Sequence, residues 1–110
     1  MIEGSFQKLK AQLGESTELS TEHRTELSKL VETLEQEIQD LSRTRPADSS
    51  SISGFAQLST QEAMRESKRP DLLKHSLGGL SASVLGLESE HPKITALVNR
   101  MCSLLSNMGI

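Results

Sequence analysis

A chain of 110 residues with 12 Lys and Arg against 15 Asp and Glu carries a net charge of −3 and has room for one modest domain. It has no basic stripe to displace counterions from phosphates and, with two phenylalanines and no Trp or Tyr, no set of base-stacking aromatics, which argues against nucleic-acid partners. No run approaches the ~18 apolar residues that span a bilayer, and no helical stripe is backed by a strongly basic face, which argues against a membrane partner.

The core must come from Leu, Ile, Val, Met and Ala. Those residues, set among abundant Glu, Gln and Lys, predict an all-α fold, a small bundle of about four helices. The single cysteine, Cys102, allows no internal disulfide and fits a reducing compartment. Met1 to Phe6 lack the basic and apolar regions of a secretory signal, so a cytoplasmic location is expected. Charge is uneven: residues 1–43 hold five basic and nine acidic side chains, residues 44–110 seven and six.

In chain order, Ile2, Phe6, Leu9 and Leu13 predict a first helix over about residues 2–13, with Gly14 as its C-terminal cap and a polar link over 15–19. Ser20 or Thr21 caps a second helix, with Glu22 at the positive end of its dipole. Its stripe is Leu27, Leu30, Val31, Leu34, Ile38 and Leu41; Glu32, Glu35, Gln36, Glu37 and Gln39 are expected in solvent, and Pro46 marks its end. Residues 1–43 thus read as an N-terminal helical hairpin.

Residues 44–54 read as a flexible serine-rich linker, followed by a short helix from the capping box Ser59-Thr60-Gln61-Glu62 to about Lys68, closed by Pro70. The next strong helix is expected over Asp71–Glu88, with Leu73, Leu77, Leu80, Val84 and Leu87 as a packing seam. Gly78, Ala82 and Gly86 lie beside the seam at every fourth position. They signal either a close helix crossing or a weak helix bending at Gly78-Gly79. The last helix opens with Pro92 after His91 and closes with Gly109 as its cap. Ile94, Leu97, Val98, Met101, Leu104, Leu105 and Met108 form its apolar face, and Asn99, Arg100, Ser103 and Asn107 point away. The two C-terminal helices over 70–110 are expected to form an antiparallel hairpin hinged at Ser89–Pro92, all within a single domain over 1–110.

Glu90-His91-Pro92, Ile94-Thr95-Ala96, Asn99-Arg100 and the closing Leu105-Ser106-Asn107-Met108-Gly109-Ile110 resemble the C-terminus of a bacterial family, the domain of unknown function numbered 4404. The resemblance is specific over the last quarter of the chain and rests only on helical periodicity over residues 1–41. This chain has Leu87-Glu88 where the family tends to carry Phe-Glu, and its serine-rich middle is longer. The resemblance implies a helical bacterial cytoplasmic protein and no particular activity.

Chemistry-bearing residues are sparse. His23, His75, His91 and Cys102 form no ligand pair at helical spacing and no Cys-x-x-Cys exists, so neither metal nor cofactor is expected. Gly79-Leu80-Ser81-Ala82-Ser83 lacks the second glycine and the preceding strand of a nucleophile elbow. Cys102 sits at the edge of an apolar face, where a small core residue is expected. Three functional readings remain. The first is a non-catalytic, self-associating homodimeric module. The second is an adaptor that takes another protein's helix in an apolar groove. The third and weakest is an enzyme, with a site drawn from His75, Glu88, Glu90, His91 and Cys102. Self-association draws on the apolar faces of all the helices, among them the coiled-coil spacing of Leu27, Val31, Leu34, Ile38 and Leu41, and the adaptor reading on the C-terminal face with Met101 and Met108. The expected interaction face is Leu73, Leu77, Leu80, Val84, Leu87, Ile94, Leu97, Val98, Met101, Leu104, Leu105 and Met108.

Overall fold

The described residues, 2–15 and 20–109 of a computed structural model, hold five helices and no strand: α1 (Ile2–Glu15), α2 (Thr21–Leu41), α3 (Pro46–Ala63), α4 (Pro70–Ser83) and α5 (Pro92–Gly109). The fold is all-α, as the composition predicts, with one helix more than expected. The radius of gyration is 12.9 Å, against the ~13 Å of a compact chain of this length.

α1 buries Phe6, Leu9 and Leu13 as its spacing requires. It continues through Gly14, which is therefore a helical residue and not the expected cap. The side chain of Ile2 and the link over 16–19 lie outside the described residues. α2 starts where its cap predicts: the Ser20 hydroxyl accepts the His23 backbone N–H at 3.2 Å. All six of its stripe residues are buried. Two of the glutamates expected in solvent are partly covered instead, because each meets a lysine from another helix, Glu35 with Lys10 of α1 and Glu37 with Lys93 of α5 at 3.6 Å.

The largest departure from the sequence expectation is at residues 44–69. The presumed linker is α3, an 18-residue helix. Pro46 does not merely follow α2; it occupies the first turn of α3, where a missing N–H costs nothing, with Asp48 beside it at the positive end of the dipole. Ser59, read as a capping residue, is buried in mid-helix, and Pro70 opens α4 where it was expected to close a short helix. α3 packs against all four other helices. Its buried positions are Ser49, Ile52, Ser53, Ala56, Ser59, Thr60, Glu62 and Ala63, a helical spacing carried mostly by small residues. Small side chains let neighbouring backbones come close, and two of the hydroxyls find acceptors one turn back. Ser53 Oγ donates to the Ser49 carbonyl at 2.7 Å and Thr60 Oγ1 to that of Ala56 at 2.8 Å. The expected N-terminal hairpin is also modified by this hub, since α1 packs chiefly on α3 and less on α2.

α4 ends at Ser83, five residues short of the expected boundary. A turn follows at 84–86, where Gly86 has φ +89°, a conformation that suits glycine and removes it from any helical stripe. α4 passes through Gly78-Gly79 as continuous helix. α5 then begins at Pro92 as predicted, with the His91 carbonyl accepting the Thr95 N–H at 3.3 Å. Arg45 Nη2 and Glu90 Oε2, 3.4 Å apart, tie the α2–α3 connection to the α4–α5 connection. The capping role expected of Gly109 depends on Ile110, outside the described residues.

Candidate functional site

The C-terminal seam expected to receive a partner lies inside the chain's own core. Leu73, Leu80, Val84, Leu87, Ile94, Leu97, Val98, Met101 and Leu105 are buried, and Leu77, Leu104 and Met108 are partly buried against them. The reason is the unanticipated α3, whose faces cover what four helices would have left open. His91 is half-buried, and Pro92 is exposed at the helix entrance.

The residues proposed for an enzymatic site are not assembled. His75 is exposed on α4, Glu90 is paired with Arg45, and Glu88 accepts the Gly86 N–H at 2.9 Å. Cys102 Sγ lies 4.0 Å from the Leu77 carbonyl, and burial pushes its thiol pKa up, away from the reactive thiolate. Among the described residues no group of three His, Cys, Asp or Glu side chains is placed to hold a metal. No helix among them is long and apolar enough to cross a membrane.

α3 and α4 hold long stretches free of charge. Between Ser49 and Gln61 no residue carries a formal charge, and none does between Ser76 and Leu87. Among the described residues, the large hydrophobic side chains left exposed belong to this pair of helices or its edge: Leu58 of α3 at 42 % and Leu85, just past the end of α4, at 72 %. Scattered apolar surface is ordinary, but two exposed leucines on an uncharged layer are the feature that stands apart in this molecule.

Leu58 borders a shallow pocket of about 210 Å³ between the two helices, completed by Phe55, Glu62, Leu72, His75 and Ser76. The Glu62 carboxylate is buried and paired with Arg65 at 2.9 Å, and Ser76 Oγ donates to the Leu73 carbonyl at 3.0 Å, so the polar groups are largely spent and the opening is apolar. A pocket of this size is smaller than the ~300–1,000 Å³ typical of small-ligand sites and suits one aliphatic side chain. On its floor side, α3 and α4 meet closely at Gly79. A Cβ there would overlap the Phe55 ring, 2.7 Å from Cζ. This close approach is at Gly79 and not on the expected Gly78–Ala82–Gly86 stripe, which makes no helix crossing within the chain. Gly78 and Ala82 of the expected stripe are exposed, and a Cβ at Gly78 would meet nothing within 4 Å.

A second depression, about 320 Å³ between α2 and α5, is polar: Glu26, Asn99, Arg100, Ser103 and Asn107 surround Leu104. Arg100 and Glu26 stand 4.0 Å apart across it. Asn99, Arg100, Ser103 and Asn107 are exposed, as their spacing predicts.

No family model matches this chain, and no curated protein or solved structure matches it.

Proposed function

We propose that the chain is a non-catalytic self-associating module that dimerises through the outer surface of α3 and α4. The observation that carries this reading is the pair of exposed leucines, Leu58 and Leu85, within two stretches, residues 49–61 and 76–87, that hold no formal charge. The net charge of −3 works weakly against the meeting of two copies. An uncharged face can meet itself without placing like charges together, which an isologous contact requires. The surface is modest, so the dimer belongs to the weak, reversible class and dissociates on dilution. We further place the chain with the bacterial family numbered 4404, on the strength of its Glu90-His91-Pro92 entry and its Leu105–Ile110 ending.

The test is molar mass by light scattering with refractive-index detection across a hundred-fold dilution. The native chain is expected to pass from dimer to monomer, and Leu85→Asp to be monomeric throughout with unchanged helicity. A native chain that is monomeric and folded at every concentration overturns the reading. It would leave the uncharged layer to a different protein, the adaptor alternative.

A further inference from the structure

Resting on the dimer just proposed, we propose that two copies pair antiparallel along α4, about a two-fold axis passing between Gly78 and Ala82. His75, Gly78 and Ala82 follow one another at steps of three and four on α4, so they share one stripe, and all three are exposed; Leu85, also exposed, follows in the turn just past the end of the helix. The stripe starts at the rim of the α3–α4 pocket, which His75 lines, and leads to Leu85, the most exposed leucine among the described residues. A recess at one end and a protrusion at the other are self-complementary only when the second copy runs the opposite way. Reversal about the midpoint then carries Leu85 of each copy to the Phe55–Leu58–Leu72 opening of the other.

Two further features fall into place under the same reversal. The residues brought together at the axis are Gly78 and Ala82, which lack long side chains; the space around Gly78 is open, so nothing holds the two backbones apart. Lys74, exposed and without an ion pair inside the described chain, is carried toward the exposed Glu88 of the second copy. A parallel pairing would instead set Lys74 beside Lys74 and Leu85 beside Leu85, leaving both pockets empty.

Disulfide trapping in a Cys102→Ser background distinguishes these arrangements, with light scattering on the same samples. Antiparallel pairing brings the two copies of residue 78, and of residue 82, within about 6 Å along the axis, whereas the two copies of residue 75 are about 15 Å apart. Gly78→Cys and Ala82→Cys are therefore expected to form covalent dimers under mild oxidation, and His75→Cys is not. Independently, Lys74→Glu is expected to raise the dissociation constant about tenfold, the scale of the two equivalent surface ion pairs of a two-fold dimer, and Lys74→Glu with Glu88→Lys to restore it. If His75→Cys is trapped as readily as the others, or if none is trapped while light scattering still shows a dimer, the antiparallel pairing is wrong and the dimer stands. A monomer at all concentrations removes both.

Discussion

α2 and α5 bury leucine, isoleucine, valine and methionine and turn glutamate, glutamine, asparagine and arginine outward. α3 and α4 bury serine, threonine and alanine beside a few large residues, and expose glycine, serine and leucine. Both pairs are helical and both build the same core. The difference is contrast between faces. A helix with charge on one side and leucine on the other declares its orientation in the sequence. One made of small, neutral residues keeps its period while losing its contrast. Low contrast also has a consequence on the outside. A helix that does not advertise solvent with charge offers a surface on which another molecule can settle.

The largest expected effect tests whether residues 46–63 are structural at all. Gly54 is an exposed, mid-helix position of α3 with nothing within 4 Å of a Cβ. Gly54→Pro removes a backbone donor and clashes with the preceding turn, so it should cost about 3 kcal/mol or more, a large share of the ~5–15 kcal/mol that holds a domain together. Gly54→Ala, at the same place, should stabilise by roughly 0.5–1 kcal/mol. Urea denaturation followed by far-ultraviolet circular dichroism reads both. A tolerated proline would return the segment to the linker that its composition suggests.

The ends of the molecule were readable because single residues carry unambiguous physics. Ser20 with its free hydroxyl, Pro92 with its missing N–H and the six-residue stripe from Leu27 to Leu41 each have one comfortable solution, and the structure adopts it. The middle was misread for an equally physical reason. Serine and threonine favour turns when their hydroxyls compete for the backbone, but when buried in a helix they can bond one turn back, as Ser53 and Thr60 do. The helical spacing through Ile52, Ala56 and Ala63 was present; its weight was small because alanine and serine contribute little apolar area. Missing α3 had a second cost. The C-terminal seam looked surplus to one chain, and the interaction face was assigned to residues that α3 helps to cover. The uncharged outer layer, visible in the sequence as two long stretches without Asp, Glu, Lys or Arg, was the signal that pointed to the candidate surface.

Two adjacent glycines sharpen the comparison within α4. Gly79 faces the Phe55 ring, whereas Gly78 faces open space. Gly79→Ala gains helix propensity of ~1 kcal/mol but forces an overlap worth about 1–3 kcal/mol, so it should destabilise or at best break even. Gly78→Ala has only the gain. The spread between the two variants should shrink in a Phe55→Leu background, and a double-mutant cycle measures by how much. Equal behaviour of the two glycines would mean that the Phe55–Gly79 contact does not set the distance between α3 and α4.

The smallest effect concerns the serines that disguised α3. Ser53 and Ser59 are both buried, at 2 % and 0 % exposure. Ser53 Oγ has its acceptor in the Ser49 carbonyl, while Ser59 Oγ is buried with no hydrogen-bond partner. A buried hydroxyl that gave up water without finding an acceptor carries a desolvation penalty, and alanine removes it without leaving a sizeable hole. Ser59→Ala should therefore raise the urea midpoint, by about 1 kcal/mol of stability at constant m, and Ser53→Ala should lower it by roughly 0.5–1 kcal/mol. The opposite signs are the informative outcome, because helix propensity alone favours alanine at both sites by the same amount. If both substitutions stabilise equally, the hydroxyls contribute nothing specific, and serine is present in α3 for its small volume alone.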